Sequence, residues 1–168
     1  RQLYDWFSCL PYKKDELKRL AAAGALVRPC YRRLRQINYC NHMKMVIIDG
    51  RSVYSGSMNM GQEYIDGGPR FDVWRDTSFR LSGPAVAPYL MLFASTWLYT
   101  GGKEDLATDF MPPATEHHRH EGTPVQVLHS SVVTTFKTIR DVFITALTNA
   151  RERVWICLLY TSPSPRDS

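Results

Sequence analysis

The sequence predicts an α/β fold, a β-sheet flanked by helices, and three observations predict it. A run rich in Val and Ile, MKMVIID, and a second strand-like run, SVYSGSMN, stand on either side of the Asp49-Gly50 turn and read as a hairpin. A strand, a helix and a strand are written in order ahead of that hairpin. Beyond it, Val86, Leu90, Phe93 and Trp97 recur at helical spacing. The 168 residues suffice for one domain with a core of its own.

Taken in order, RQLYDWF reads as a strand entered partway through, so the chain is expected to begin inside a longer protein. Residues 13–23 form a helix, with Leu17, Leu20 and Ala21 on one face and Gly24 as its stop. Residues 25–29 form the next strand. MKMVIID is the first arm of the hairpin and SVYSGSMN the second, with Asp-Gly-Arg-Ser between them. Residues 67–72 are a turn-rich break, and 76–81 read as a strand. Ser82-Gly83-Pro84 then opens the apolar helix, Pro near its first position, and Gly101-Gly102 closes it. That segment is too short and too interrupted to span a bilayer, so it is a core helix. Residues 103–123 are polar and aperiodic, an exposed connector. Its His117, His118 and His120 have no second ligand cluster nearby and suit no common zinc site. A strand at 124–129, a helix at 134–151 with Phe136, Ile139, Phe143, Leu147 and Ala150 inward, and a strand at 153–156 complete the reading.

The chemistry sits in the hairpin. His42, Lys44 and Asp49 stand as H-x-K-x-x-x-x-D, followed by Gly56, Ser57 and Asn59 as G-S-x-N. Average residue usage would produce these six positions by chance on the order of once in a million chains of this size, so they are read as a site. On a strand His42 and Lys44 share a face, as do Ser57 and Asn59 on the next. Imidazole, ammonium, hydroxyl and carboxamide together suit a tetrahedral phosphate. The imidazole can attack phosphorus, while Lys44 and Asn59 hold the non-bridging oxygens with Ser57 assisting. Asp49 has the opposite parity and stands beside Gly50, which favours a turn or strand-end anchor over a reactant.

These residues resemble the HKD motif of the phospholipase D superfamily. They are most similar to bacterial cardiolipin synthases, which share the stretches found here at Asn41–Lys44, Val46–Gly50, Gly56–Asn59, Gly61–Tyr64 and Trp74–Thr77. The resemblance covers nearly the whole chain to about Ile156. Met43 departs where the family often has Arg, and Ser55 where it often has a smaller residue. The resemblance implies a phospholipase D-like mixed β-sheet flanked by helices. Residues 1–102 would be one half, N-terminally truncated and holding the motif, 103–123 a connector and 124–156 the start of a second pseudo-symmetric half.

It also implies roles. The catalytic set would be His42, Lys44 and Asp49. His42 would form a phosphohistidine or serve as its general-acid counterpart, and Lys44, Ser57 and Asn59 would bind phosphate. Asp76 would orient the histidine, with Glu63 as second choice, although Asp76 also suits a surface ion pair with Arg75. The implied reaction is cardiolipin synthesis from two phosphatidylglycerols, without metal or other cofactor. The alternatives are a phosphodiesterase or nuclease that uses water, and a non-catalytic single-motif protein that binds anionic phospholipid. A second HKD motif is missing, so the chain is expected to be inactive alone unless two copies pair. Residues 157–168, CLLYTSPSPRDS, resemble translated sequencing adapter and are read as a non-native tail.

Composition bounds the partners. Twenty-one Lys and Arg against sixteen Asp and Glu give a formal charge of +5, which suits an anionic membrane surface or nucleic acid. With the resemblance, the expected partners are phosphatidylglycerol and a bacterial cell membrane rather than nucleic acid. Arg28, Arg32, Arg33 and Arg35 cluster ahead of the motif, as a headgroup attractor or as a solvated loop. Cys9, Cys30 and Cys40 lack CxxC spacing and indicate neither disulfide framework nor zinc site.

Overall fold

In the computed structural model, β1 (Gln2–Asp5) pairs in parallel with β2 (Val27–Cys30), and α1 (Lys14–Ala22) connects them. The structure describes residues 1–6, 14–30, 40–70, 74, 76–105, 108, 122–130 and 137–156. The helix between two parallel strands is the crossover such a pair requires. Gly24 ends it at φ 91°, with Gly24 N–H donating to Ala21 O and Ala25 N–H to Leu20 O, both at 3.0 Å. That double bond is a Schellman stop, which glycine takes without strain. The inward stripe expected on α1 is only partly realised. Leu17 is half-buried, while Leu20 stays exposed.

The hairpin forms as expected but with shorter strands. β3 is Met45–Ile48 and β4 is Ser52–Gly56, antiparallel, and β5 (Ser78–Ser82) adds to β4. Asp49 and Gly50 both take positive φ, 54° and 63°, and Arg51 N–H donates to Ile48 O at 2.9 Å. Two left-handed central residues are what a tight hairpin turn needs, and Asp-Gly supplies them. The fold is thus mixed α/β. Among the described residues its parallel and antiparallel pairs lie in two sheets rather than one.

Alternation along the strands fixes the core. Ile47, Val53 and Leu81 are in register and face inward, Val53 without exposure. Val46, Tyr54 and Arg80 are in register on the other face, where the Arg80 guanidinium lies 5.9 Å from the Tyr54 ring centre. The single turn α2 (Glu63–Asp66) lies between β4 and β5, and a 3-10 turn at Gly83–Ala85, carrying Pro84, leads into α3 (Val86–Tyr99), which packs on β3 and β4. Val86, Leu90, Ala94 and Trp97 are its buried residues, one per turn, and Phe93 stacks beside Trp97 at 5.9 Å. Arg28 donates to the Thr100 and Gly101 carbonyls at 3.1 and 2.8 Å and lies over the Trp97 ring, so it closes the end of α3. Its guanidinium is therefore engaged in the fold. Arg32, Arg33 and Arg35 lie outside the described residues, as do Arg75, Cys9, Phe136 and the three connector histidines.

The chain divides into two units, Arg1–Val127 and Leu128–Ser168. The second holds α4 (Thr138–Asn149), shorter at both ends than the helix expected there. Two expectations fail. Residues 124–129 and 153–156 are irregular, because a strand exists only by pairing and no strand is paired to them among the described residues. The stripe of α4 is also not buried. Ile139, Phe143 and Leu147 remain exposed, since an amphipathic face is covered only by a neighbour that packs on it.

Candidate active site

The hairpin topology, rather than side-chain parity along a strand, gathers the site. His42 and Lys44 immediately precede β3, and Ser57 and Asn59 immediately follow β4. Met45 is paired with Ser55, so the start of β3 and the end of β4 are neighbours. Gly56 is paired with Ser78, which places Asp76 and Thr77 at that same end. Three chain segments therefore deliver their polar residues to one edge of the sheet. Asp49 is not with them. It turns the hairpin at the other end, five residues from Lys44, roughly 15 Å along an extended strand.

Hydrogen bonds fix the cluster. Lys44 Nζ donates to the His42 carbonyl at 2.7 Å, and Ser55 Oγ donates to the Lys44 carbonyl at 2.8 Å. Ser55, a departure from the resembled pattern, thus ties β4 to the backbone that carries Lys44. Ser57 Oγ donates to Asp76 Oδ1, which also accepts from Thr77 N–H at 2.6 Å. Asn59 Nδ2 donates to the Tyr64 hydroxyl at 2.8 Å, and the Tyr64 ring meets Trp74 at 5.0 Å. Behind the motif, Asn41 N–H donates to Asp5 Oδ2 at 2.8 Å, and its amide reaches the buried Cys30 sulfur at 3.4 Å. Those two bonds moor the segment entering the site onto β1 and β2.

The electrostatics follow from these contacts. The Ser57 hydroxyl is the main cause that holds Asp76 below the usual carboxylate range. Partial burial opposes it, and Thr77 N–H, the Trp74 side chain and the Lys44 charge reinforce it. Burial lowers the Lys44 ammonium, with Cys40 and Asp76 acting in the other direction. Burial raises the Cys30 thiol, so it is an inert core group. The His42 side chain is exposed, and among the described residues nothing holds its imidazole. Asp76 is spent on Ser57 and Thr77, and the Glu63 carboxylate lies against Gly61, so neither expected orienting group is bonded to His42.

A cavity of about 1030 Å3 opens beside the cluster. Lys44, Asn59 and also Asp49 are among its polar lining residues, and Met43, Leu90 and Phe93 are among its apolar walls. His42, Ser57 and Asp76 stand outside this lining. Among the described residues no group of His, Cys, Asp and Glu is placed to hold a metal, and no helix is long and apolar enough to cross a membrane.

Comparison with known proteins gives the likeness. Cardiolipin synthase 2 of Bacillus anthracis is 31% identical over 169 residues, which cover 97% of this chain and 32% of that protein. Cardiolipin synthase of Halalkalibacterium halodurans is 30% identical, over 97% of this chain and 33% of its own length. Cardiolipin synthase 1 of Bacillus cereus is 33% identical over 136 residues, 77% of this chain and 26% of that protein. This chain is cardiolipin synthase-like. It spans about a third of the length of the curated relatives it matches. The likeness at 97% coverage runs into residues 157–168, whose structure lies outside the described residues. No protein-family model matches the chain, and no solved structure matches it significantly.

Sequence reasoning named Lys44, Ser57, Asn59 and Asp76, and all four stand at one sheet edge with His42. It gave no role to Tyr64 or Trp74. The signal available was an aromatic residue five places after Asn59, in the Gly61–Tyr64 stretch, and a second one two before Asp76.

Proposed function

We propose that this chain supplies one motif of a phosphatidyl-transfer site that makes cardiolipin from two phosphatidylglycerols. The observation that carries the reading is the convergence of Lys44, Ser57, Asn59 and Asp76 on the sheet edge entered by His42, in a cardiolipin synthase-like chain. The His42 imidazole attacks phosphorus. The bond from phosphorus to the departing glycerol oxygen breaks, and that oxygen takes a proton from an acid. The phosphatidyl group is then held on His42 as a phosphohistidine. A hydroxyl of the second phosphatidylglycerol attacks the phosphorus and loses its proton to the same acid, now a base, while the phosphorus–nitrogen bond breaks, which frees the His42 imidazole and releases cardiolipin. Lys44 retains two N–H donors after its bond to the His42 carbonyl, and Asn59 retains one. Both are free to meet the oxygens on which charge builds.

The acid belongs to a second motif, and these 168 residues contain one H-x-K. A leaving group that needs no proton separates the two requirements. Phosphatidyl-p-nitrophenol is expected to release about one equivalent of p-nitrophenolate per chain and to leave a phosphatidyl adduct on His42, read by acid-sparing mass spectrometry. His42→Gln and Lys44→Ala are expected to abolish the burst or slow it by about a hundredfold. An adduct on another residue, or none, sinks the proposal and favours a chain that only binds anionic phospholipid.

A further inference from the structure

We infer that Tyr64 is a third donor to the substrate phosphodiester, in the place that Ser57 was expected to take. This deepens the phosphatidyl-transfer reading and rests on it.

The argument is a count of protons. A phosphodiester presents two non-bridging oxygens that accept hydrogen bonds and carry its charge. Lys44 and Asn59 can each direct a donor at them. The Ser57 hydroxyl has one proton, and that proton is on Asp76 Oδ1. As long as Asp76 is ionised, Ser57 offers a ligand only lone pairs, which repel phosphate oxygen. Asp76 is held in the ionised state below the usual carboxylate range, so Ser57 does not become free near neutrality.

Tyr64 is in the opposite condition. Its oxygen accepts the Asn59 amide proton at 2.8 Å, which directs its own proton elsewhere. Among the described residues nothing accepts that proton. The ring is set by its contact with Trp74, and the Trp74 side chain also bonds Asp76. Asn59, Tyr64, Trp74, Asp76 and Ser57 therefore form one connected arc. Tyr64 and Asn59 also line a shared depression of about 390 Å3 that adjoins the larger cavity at Met58, Asn59 and Met60. The half-exposed phenol thus lines the depression next to Asn59, with a donor to spare. A substrate oxygen held by Asn59 lies within reach of it, and accepting from Asn59 makes the phenol a better donor.

The test titrates the chain with glycerophosphoglycerol, the deacylated phosphodiester, and follows binding by NMR. Tyr64→Phe keeps the ring against Trp74 and removes only the hydroxyl. It is expected to weaken binding about tenfold with the melting temperature unchanged. Asn59→Ala distinguishes touching the ligand from acting through Asn59. The Tyr64→Phe loss must persist in the Asn59→Ala background if the phenol itself meets phosphate. Unchanged affinity in Tyr64→Phe, or a loss that vanishes in the double variant, overturns the assignment while leaving the phosphate site intact. No binding by the unaltered chain, or binding indifferent to Lys44→Ala, overturns the underlying reading and this assignment together.

Discussion

At the scale of single residues, the site separates groups that donate from groups that hold donors in place. Asp76 belongs to the second kind, with Ser57 Oγ and Thr77 N–H both on Oδ1. Its carboxyl is shifted down in the folded chain, so the folded state binds its proton less readily than the unfolded state does. The sign follows by linkage. The contribution is fully present above the ordinary carboxylate value of about 3.9 and is lost as pH falls through the lower folded value. Asp76→Asn is therefore expected to lower stability at pH 7 and to flatten the acid limb, the two proteins converging as pH falls below about 4. Urea midpoints of both proteins across pH 2.5–7 check this, and parallel curves would refute it. Lys44 runs the other way. Its lowered value means that charge on the folded ammonium is disfavoured, so stability rises as pH climbs from the folded value toward about 10.4. Lys44→Met is expected to remove that alkaline rise, measured by the same midpoints at pH 8–10.5. Both residues were legible in the sequence as chemistry-bearing. Tyr64 was not, because a phenol earns its role only from the partner it meets in space.

At the scale of elements, the hairpin and α3 were legible because each is governed by local pattern. Asp49-Gly50 dictated the turn, and Val86, Leu90 and Trp97 repeated at the helical period. Strand lengths were not legible. β3 and β4 stop short of the reactive residues, so His42, Lys44, Ser57 and Asn59 meet through chain topology at a sheet edge and not by alternation along strands. The residue that closes this edge is Gly56. It has φ 148°, and a Cβ there would stand 2.5 Å from the Thr77 carbonyl oxygen and 2.7 Å from Ser78 Cα. Both obstacles are backbone and cannot swing away. Gly56→Ala is expected to cost about 1–3 kcal/mol and to displace β5 from β4. At Gly24 no atom lies within 4 Å of an added Cβ, and only the left-handed φ of 91° opposes it. Gly24→Ala is expected to cost roughly 1 kcal/mol. Comparable urea midpoints for the two variants would contradict the steric account. Trp97 anchors the same unit without exposure, its indole donating to Glu104 at 2.6 Å. Trp97→Ala is expected to cost about 3–5 kcal/mol.

At the scale of the whole molecule, the question is what one motif can do. On the phosphatidyl-transfer proposal, the donors at the sheet edge would bind and polarise a phosphodiester, and His42 would attack it. On the proposed reading the proton for the departing glycerol alkoxide comes from a second histidine, since the Asp76 carboxylate is occupied by Ser57 and Thr77. An alkoxide leaving group without an acid raises the barrier by several kcal/mol, because general acid catalysis typically supplies about 10²–10⁴-fold in rate. The second unit contributes α4, whose exposed Ile139, Phe143 and Leu147 were expected inside a core, and that face was illegible because its burial depends on a neighbour and not on its own period. Two copies of the chain would bring two histidines, one to attack and one to protonate. Cardiolipin formation from phosphatidylglycerol is therefore expected to be absent in dilute monomeric chain. Where it emerges, it should rise with the square of chain concentration, in step with a dimer seen by sedimentation. At a concentration that sustains turnover, mixing His42→Gln chain with unaltered chain should lower the rate more steeply than dilution alone, because mixed pairs lack one of the two groups. A specific activity that stays constant down to concentrations at which only monomer sediments would show that one motif suffices, and the acid would then have to be sought within this chain.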